Sequence, residues 1–216
     1  MLEQKKSKQA GISQGGSPRF SPVKNCDMKN STDRKKIIAG LGNPDKGFGN
    51  TYHNVGILAL SDIVQKTEED NIQPKQSLLK TFQKKDWKKK GLFEYIKTNN
   101  YIAVRPLVYM NESGKAIASA AREFCVKPHD ITIIHDDSDI TLGDFKISFG
   151  KNAGGHNGVQ SIIDSLHSKN FTRVRIGIRP KTEIQRKKAG TFVLSPIKKK
   201  DKEILDGVFK KIESLV

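Results

Sequence analysis

One short stretch constrains the fold of this chain more than any other. Ile131–Ile134 is a run of mostly β-branched apolar residues, which predicts a buried strand. The acidic cluster His135-Asp136-Asp137-Ser138-Asp139 follows directly, so we expect it in the loop at the carboxyl end of that strand. Ligands of α/β proteins bind at this edge of the sheet. The cluster is therefore a catalytic candidate, although a solvated turn or a Mg²⁺-binding surface would show the same pattern.

Strand patterns and helical patterns alternate along the rest of the chain. Strand patterns occupy residues 35–41, 92–96, 101–105, 144–149 and 173–178. Helical stripes start near Val55, Ala116 and Val159, and a fourth over roughly 201–216 should bury Leu205, Val208, Ile212 and Leu215. The polar, lysine-rich residues 67–91 predict a solvated loop. The alternation predicts an α/β fold, and 216 residues suit one domain.

Charge and apolar content divide the chain into two parts. Residues 1–34 lack apolar periodicity and are expected to form a disordered basic tail, which leaves residues 35–216 as the folded domain. The whole chain has 39 Lys+Arg against 23 Asp+Glu, a formal net charge of +16. Seven basic and three acidic residues in the tail leave +12 on the domain. The excess therefore favours a polyanionic partner, with RNA preferred.

Membrane and disulfide classes are disfavoured. No apolar run approaches the roughly 20 residues that cross a bilayer, so no membrane partner is expected. Cys26 and Cys125 are the only cysteines, and we expect both to be free thiols in a reducing compartment. The cytoplasm and the mitochondrion both satisfy this condition.

Several polar residues stand at predicted strand ends or helix starts: Asn43, His53, Asn111, Asp136, Asn157 and His156. A histidine can take a proton from water, a carboxylate can fix its tautomer, and amides can donate to an oxyanion. The one Gly-x-Ser-x-Gly match, residues 11–15, lies in the predicted tail and forms no elbow between a strand and a helix, so water is the preferred nucleophile. The alternatives are structural: His53 and Asn111 as helix caps, and Met110 as core.

Glycines accompany two of these positions. Gly40-x-Gly42 lacks the third glycine of a dinucleotide-binding loop, which disfavours that class. Gly154 and Gly155 precede a predicted helix, where backbone N–H groups can approach an anion or a substrate.

At these residues the chain resembles the bacterial-type peptidyl-tRNA hydrolases. The matching segments, which extend over about residues 36–216, are 38–44, 51–56, 105–114, 135–139, 154–158, 171–178 and 192–196. The resemblance implies a single domain with a mixed, twisted β-sheet flanked by helices, and no metal or cofactor. It also implies a monomer without an obligate protein partner, whose substrate is a tRNA that carries a peptide.

The resemblance also implies a role for each site residue. His53 would be the base that activates water, and Asp136 would orient it. Asn43 and Asn111 would hold the peptide and polarise its carbonyl. The remaining cleft residues would be Asn157, which positions water or substrate, and Met110, His156 and Gly154. Arg175 would lie near the 5′-phosphate of the tRNA.

The sequence departs from the family pattern at three positions. Phe48 replaces a tyrosine that closes the cleft, and Tyr52 replaces an arginine before the histidine. Ser148 replaces a basic residue that completes a phosphate clamp with Arg175. Lys146 lies on the same strand face as Ser148 and could take over that contact.

One alternative belongs to a different functional class. Plant organelle splicing factors share this fold and bind intron RNA without requiring hydrolysis. The basic surface suits both functions, but a pure binder has no chemical need for His53 together with Asp136 and the three asparagines. The enzyme is therefore preferred.

Overall fold

The computed structural model describes residues 35–70, 87–180 and 192–215. The predicted disordered tail, residues 1–34, lies outside these ranges. In chain order the elements are β1 (Lys36–Gly40), α1 (Val55–Asp70), β2 (Lys88–Lys90), β3 (Phe93–Lys97), β4 (Tyr101–Pro106), α2 (Ser113–Phe124), β5 (Ile131–Thr141), β6 (Phe145–Phe149), α3 (Asn157–Leu166), β7 (Thr172–Arg179) and α4 (Lys199–Glu213). Short 3-10 turns precede several of these elements.

The seven strands form one sheet in the order β2-β3-β4-β1-β5-β7-β6. The central strands β4, β1, β5 and β7 are parallel, whereas β2, β3 and β6 pair antiparallel at the two sides. Buried parallel strands need apolar side chains on both faces, which explains the continuous apolar runs of β1 and β5. The prediction of an α/β fold with a mixed sheet is confirmed.

Helices cover both faces of the sheet. One apolar core lies between the sheet and the pair α1 and α4, and the second lies between the sheet and the pair α2 and α3. The predicted stripe of α4 is buried at Leu205, Val208 and Ile212. The prediction was wrong for Leu215, which is 58% exposed because the helix ends at Glu213.

The acidic cluster is part of a strand and not of a loop. Strand β5 continues through it to Thr141 and pairs with β7 as far as Asp137. A register shift follows, and pairing resumes where Thr141 lies opposite Arg179. The loop prediction was wrong because β7 supplies backbone partners to these polar residues. Side-chain polarity therefore did not mark the end of the strand.

Two further predictions were wrong. Lys88–Lys90, predicted within a solvated loop, form the edge strand β2, whose three side chains are exposed. Charged side chains on an edge strand discourage pairing with another chain. Cys125, predicted to be a free thiol, is disulfide-bonded, and Cys26 lies outside the described residues. In the described part of the chain, no helix has both the length and the apolarity that a membrane crossing needs.

Candidate active site

Two glycines bring the start of α1 into direct contact with the centre of the sheet. A Cβ atom on Gly56 would lie 2.3 Å from the carbonyl oxygen of Ile134 in β5. A Cβ on Gly40, at the end of β1, would lie 2.3 Å from the carbonyl oxygen of Gly56. His53 lies in the 3-10 turn Tyr52–Asn54 immediately before α1. The close approach of these backbones therefore places His53 beside the residues that follow Ile134.

His53 and Asp136 meet although 83 positions separate them in the sequence. The distance from His53 Nδ1 to Asp136 Oδ1 is 2.9 Å. Asp136 is only 2% exposed, whereas His53 is partly exposed. When Nδ1–H donates to the carboxylate, the lone pair of Nε2 is left to accept a proton. The pair thus has the geometry of a histidine base with its orienting carboxylate.

His156 donates to the same carboxylate oxygen. Its Nε2 lies 3.1 Å from Asp136 Oδ1. Its Nδ1 accepts the N–H groups of Gly158 and Val159, at 3.1 and 3.3 Å, as the N-cap of α3. Because Nδ1 is an acceptor, the proton of the ring is on Nε2. The helix cap therefore selects the tautomer that donates to Asp136.

These contacts keep Asp136 ionised. Burial by itself would raise the pKa of the carboxyl, but interactions with His156 and then His53 outweigh it and hold that pKa well below its usual range. A carboxylate that accepts two N–H groups is stabilised in its charged form.

His135 supports this network, although the sequence assigned it no role. Its side chain is buried, and Nδ1 donates to the carbonyl oxygen of Asp136 at 2.7 Å. Burial, followed by the proximity of His156, lowers its pKa well below the ordinary value, so the ring is neutral. Nε2 makes no hydrogen bond to any described residue. The ring packs edge-on against His156, with 4.6 Å between centroids.

Asn43 is held so that one half of its amide is available. The Oδ1 atom accepts the backbone N–H of Met110 at 2.9 Å. The backbone of Asn43 exchanges two hydrogen bonds with the side-chain amide of Asn54, at 2.8 and 2.9 Å. The Nδ2 group of Asn43 is therefore the donor that can serve a ligand. Asn54 was missed, and its only sequence signal is a place beside His53 in the 51–56 segment.

The other two asparagines are exposed. Asn111 lies in the 3-10 turn Met110–Glu112, and Asn157 is the first residue of α3. The alternative of an N-cap role for Asn111 is wrong, because Glu112 occupies the N-cap position of α2.

The remaining predicted residues differ in burial. Met110 is buried against α3, since a Cβ on Gly158 would lie 2.4 Å from its sulfur. Phe48 ends a 3-10 turn and is partly exposed, and Gly154 is exposed with a φ of 64°. Asp45, which lies just before the turn that carries Phe48, accepts a hydrogen bond of 2.6 Å from the Tyr109 hydroxyl, another contact that the sequence did not reveal.

Lys146 and Arg175 lie directly opposite each other on the paired strands β6 and β7. Arg175 Nε donates to Asp137 Oδ2 at 2.7 Å, and Lys146 is exposed. Ser148 lies opposite Arg173, whose guanidinium is buried and donates to the carbonyl oxygen of Asn152. The two cations are therefore cross-strand neighbours, and the partly exposed Arg175 is paired with the residue that follows Asp136.

The histidine cluster could also be considered as a metal site. Ligand atoms of His53, Asp136 and His156 lie within 4.8 Å of one another. A metal on His156 Nε2 would require the ring proton to move to Nδ1, which faces the N–H groups of Gly158 and Val159. That move would remove the cap of α3, so the donor set fits a hydrogen-bond network better than a metal centre.

Comparison with known proteins identifies the family. The sequence model of the peptidyl-tRNA hydrolase family matches residues 37–216. The chain belongs to the peptidyl-tRNA hydrolase family. Among curated relatives, the peptidyl-tRNA hydrolase of Lactobacillus gasseri is 36% identical over 84% of this chain and 90% of its own length. That of Coxiella burnetii is 40% identical over 77% and 81%.

A solved structure of this family has the same fold. The crystal structure of peptidyl-tRNA hydrolase from Acinetobacter baumannii superposes with a TM-score of 0.66 at 25% identity. The match covers 83% of this chain and 85% of the other. The family resemblance that the motifs indicated is therefore confirmed.

Proposed function

We propose that this family member hydrolyses the ester that joins a peptide, or an N-blocked amino acid, to the 3′-terminal ribose of tRNA. The observation that carries the proposal is the contact of 2.9 Å between His53 and Asp136 inside a chain of this family. A histidine whose Nδ1–H is oriented by a buried carboxylate has its Nε2 lone pair left to activate water.

The reaction proceeds by attack of water on the ester carbonyl. His53 Nε2 takes a proton from water while the water oxygen bonds to the carbonyl carbon. Negative charge develops on the carbonyl oxygen, where the side-chain amides of Asn43 and Asn111 donate hydrogen bonds. The bond to the ribose oxygen then breaks, and the protonated His53 returns its proton to that oxygen. The products are a peptide carboxylic acid and free tRNA.

The substrate is held by groups around this centre. Asn157 positions water or substrate, and Met110, Phe48, His156 and the backbone at Gly154 line the cleft. Lys146 and Arg175 contact a phosphate of the tRNA. A net charge of +16 attracts the nucleic acid from a distance. The steps use side chains of the protein and water, without a metal or cofactor.

The splicing-factor alternative is not favoured. The curated relatives reported above are named as hydrolases. Binding of RNA alone would also give no reason for a buried carboxylate that accepts two imidazole N–H groups.

Replacement of His53 by alanine tests the proposal. With purified tRNA bearing an N-blocked amino acid, wild-type protein should release the blocked amino acid, and His53→Ala should reduce release by about 10²-fold or more, because general-base catalysis is lost. The affinity for the substrate should change little, since phosphate contacts dominate it. Wild-type protein that binds tRNA without releasing the amino acid would instead support the binding alternative.

We also propose that the protein acts as a monomer in the cytoplasm or the mitochondrion. Light scattering coupled to size-exclusion chromatography should give one mass near 24.1 kDa. A dimer mass at micromolar concentration would contradict this proposal.

A further inference from the structure

Tyr52, the residue before the proposed catalytic histidine, is buried and has contacts at both its ring face and its hydroxyl. It is 1% exposed and stacks on Phe192, with 4.7 Å between ring centroids and 26° between ring planes. Its hydroxyl donates to the carboxylate of Asp201 in the first turn of α4. Burial, followed by the bond to Asp201, raises the pKa of the Tyr52 hydroxyl to about 12. The hydroxyl therefore remains protonated, and remains a donor, throughout the physiological range.

The backbone on both sides of Tyr52 pairs with the segment that leads into α4. His53 N–H donates to the Val193 carbonyl at 2.8 Å, and Tyr52 N–H donates to the Ser195 carbonyl at 3.3 Å. Ile197 N–H donates to the carbonyl of Asn50 at 2.8 Å, and Thr51 forms an isolated antiparallel bridge with Pro196. The histidine is thus bonded at its backbone to Val193 and at its ring to Asp136, and the three residues before it are paired with the same segment.

We propose that Tyr52 is a positioning residue, which holds segment 192–201 against the catalytic turn and thereby fixes His53 on Asp136. The proposal rests on the proposed function of His53. Without the tyrosine hydroxyl, the hydrogen bond that joins Asp201, in the first turn of α4, to the 3-10 turn Tyr52–Asn54 is lost. The backbone of His53 then gains freedom, and its ring spends less time aligned with the carboxylate, although no atom of Tyr52 contacts substrate.

The variant Tyr52→Phe removes the hydroxyl and keeps the stacked ring. We expect kcat for release of the N-blocked amino acid to fall about 5- to 20-fold, because a small misplacement of a catalytic group has a large effect on rate. KM should stay within about twofold, since substrate contacts are untouched. Asp201→Ala should have the same effect as Tyr52→Phe, and the double variant should be no worse than either single change.

Two controls separate positioning from general loosening of the domain. Asp201→Asn keeps an oxygen that can accept the hydroxyl and should retain near-normal kcat. Glu213→Gln breaks the ion pair of 3.3 Å between Lys66 in α1 and Glu213 in α4, far along the helix from the catalytic turn. It should leave kcat unchanged. An equal loss of kcat in Glu213→Gln and Tyr52→Phe would overturn the proposal, because any weakening of α4 would then be sufficient.

A measurement without substrate distinguishes this proposal from the proposed function. Amide hydrogen exchange at His53, whose N–H is bonded to Val193, should become at least tenfold faster in Tyr52→Phe and stay unchanged in Glu213→Gln. Unchanged exchange together with wild-type kcat in Tyr52→Phe would overturn the positioning role. Inactive wild-type protein with the expected change in exchange would overturn the proposed function and leave the structural tie intact.

Discussion

At the scale of single residues, Asp136 is the centre of the site. Its Oδ1 atom accepts two N–H groups, one from His53 and one from His156. Its backbone carbonyl accepts a third, from His135. Three histidines are therefore ordered around one buried carboxylate. Two of them have tautomers selected by backbone groups, which restricts the motion of the network.

Replacement of Asp136 by asparagine should slow turnover without unfolding the protein. Asparagine keeps the volume and one acceptor oxygen but loses the charge that stabilises protonated His53. We expect kcat to fall by about 10²-fold or more, with substrate affinity nearly unchanged. Steady-state kinetics with the blocked aminoacyl-tRNA would check this, and unaltered kcat would assign Asp136 a purely structural role.

The same variant makes a prediction about pH and stability. The pKa of Asp136 in the folded protein lies well below its value in the unfolded chain, which is about 3.9. The ionised carboxylate therefore stabilises the fold at pH values above the unfolded pKa. That contribution is lost as the pH falls towards the folded pKa. The Tm difference between wild type and Asp136→Asn should therefore be constant from about pH 6 to 8 and shift in favour of the variant below about pH 4. A constant difference at all pH values would contradict the low pKa.

At the scale of elements, the contact between α1 and the centre of the sheet depends on glycine. A methyl group at Gly56 would meet backbone atoms of Ile134 and Leu41. Gly56→Ala should therefore destabilise the fold by about 1–3 kcal/mol and displace the turn that carries His53. Thermal unfolding and kcat should both decline.

Gly207 provides the matched control for this change. It lies inside α4, and a Cβ there meets no atom within 4 Å. Gly207→Ala should stabilise the protein by up to about 1 kcal/mol through helix propensity and leave kcat unchanged. Equal effects of the two alanines on Tm would contradict the close-packing explanation.

The antiparallel pair β6 and β7 carries the second element-scale prediction. Arg175 and Lys146 lie opposite each other, so both can contact one phosphate. Removal of one phosphate contact flattens the log–log dependence of affinity on salt by roughly 0.9, so Arg175→Ala and Lys146→Ala should each flatten it by about one. Ser148→Lys should tighten binding of tRNA with a 5′-monophosphate more than tRNA without it. Equal tightening for both RNAs would indicate a general charge effect.

At the scale of the whole molecule, the domain should function without residues 1–34. Deletion of these residues should leave the Tm and kcat nearly unchanged, because a segment with few apolar residues buries little surface. Both proteins should be compared in reductant, so that Cys125 is a thiol in each. A decrease of several degrees in Tm would show that the segment contributes to the stability of the domain.

Most elements of the fold could be predicted because local patterns encode them. Apolar runs such as Ile131–Ile134 and the stripe of α4 each record the side that an element buries. The end of β5 could not be predicted, since the partner strand β7 lies about 40 positions later and decides whether polar residues remain paired. The edge strand β2 was missed for the same reason, because its lysines are placed by pairing with β3.

The sequence by itself determined the α/β class and the family, because each depends on short motifs and their order, and the same motifs supplied the candidate site residues. The tertiary structure alone decided how those residues are connected. The close approach of α1 to the sheet at Gly40 and Gly56 brings His53 to Asp136, the cap of α3 fixes the proton of His156, and Asp201 reaches Tyr52 across 149 positions. Hydrogen-bond geometry of this kind depends on distances between elements, and no local pattern of side chains encodes those distances.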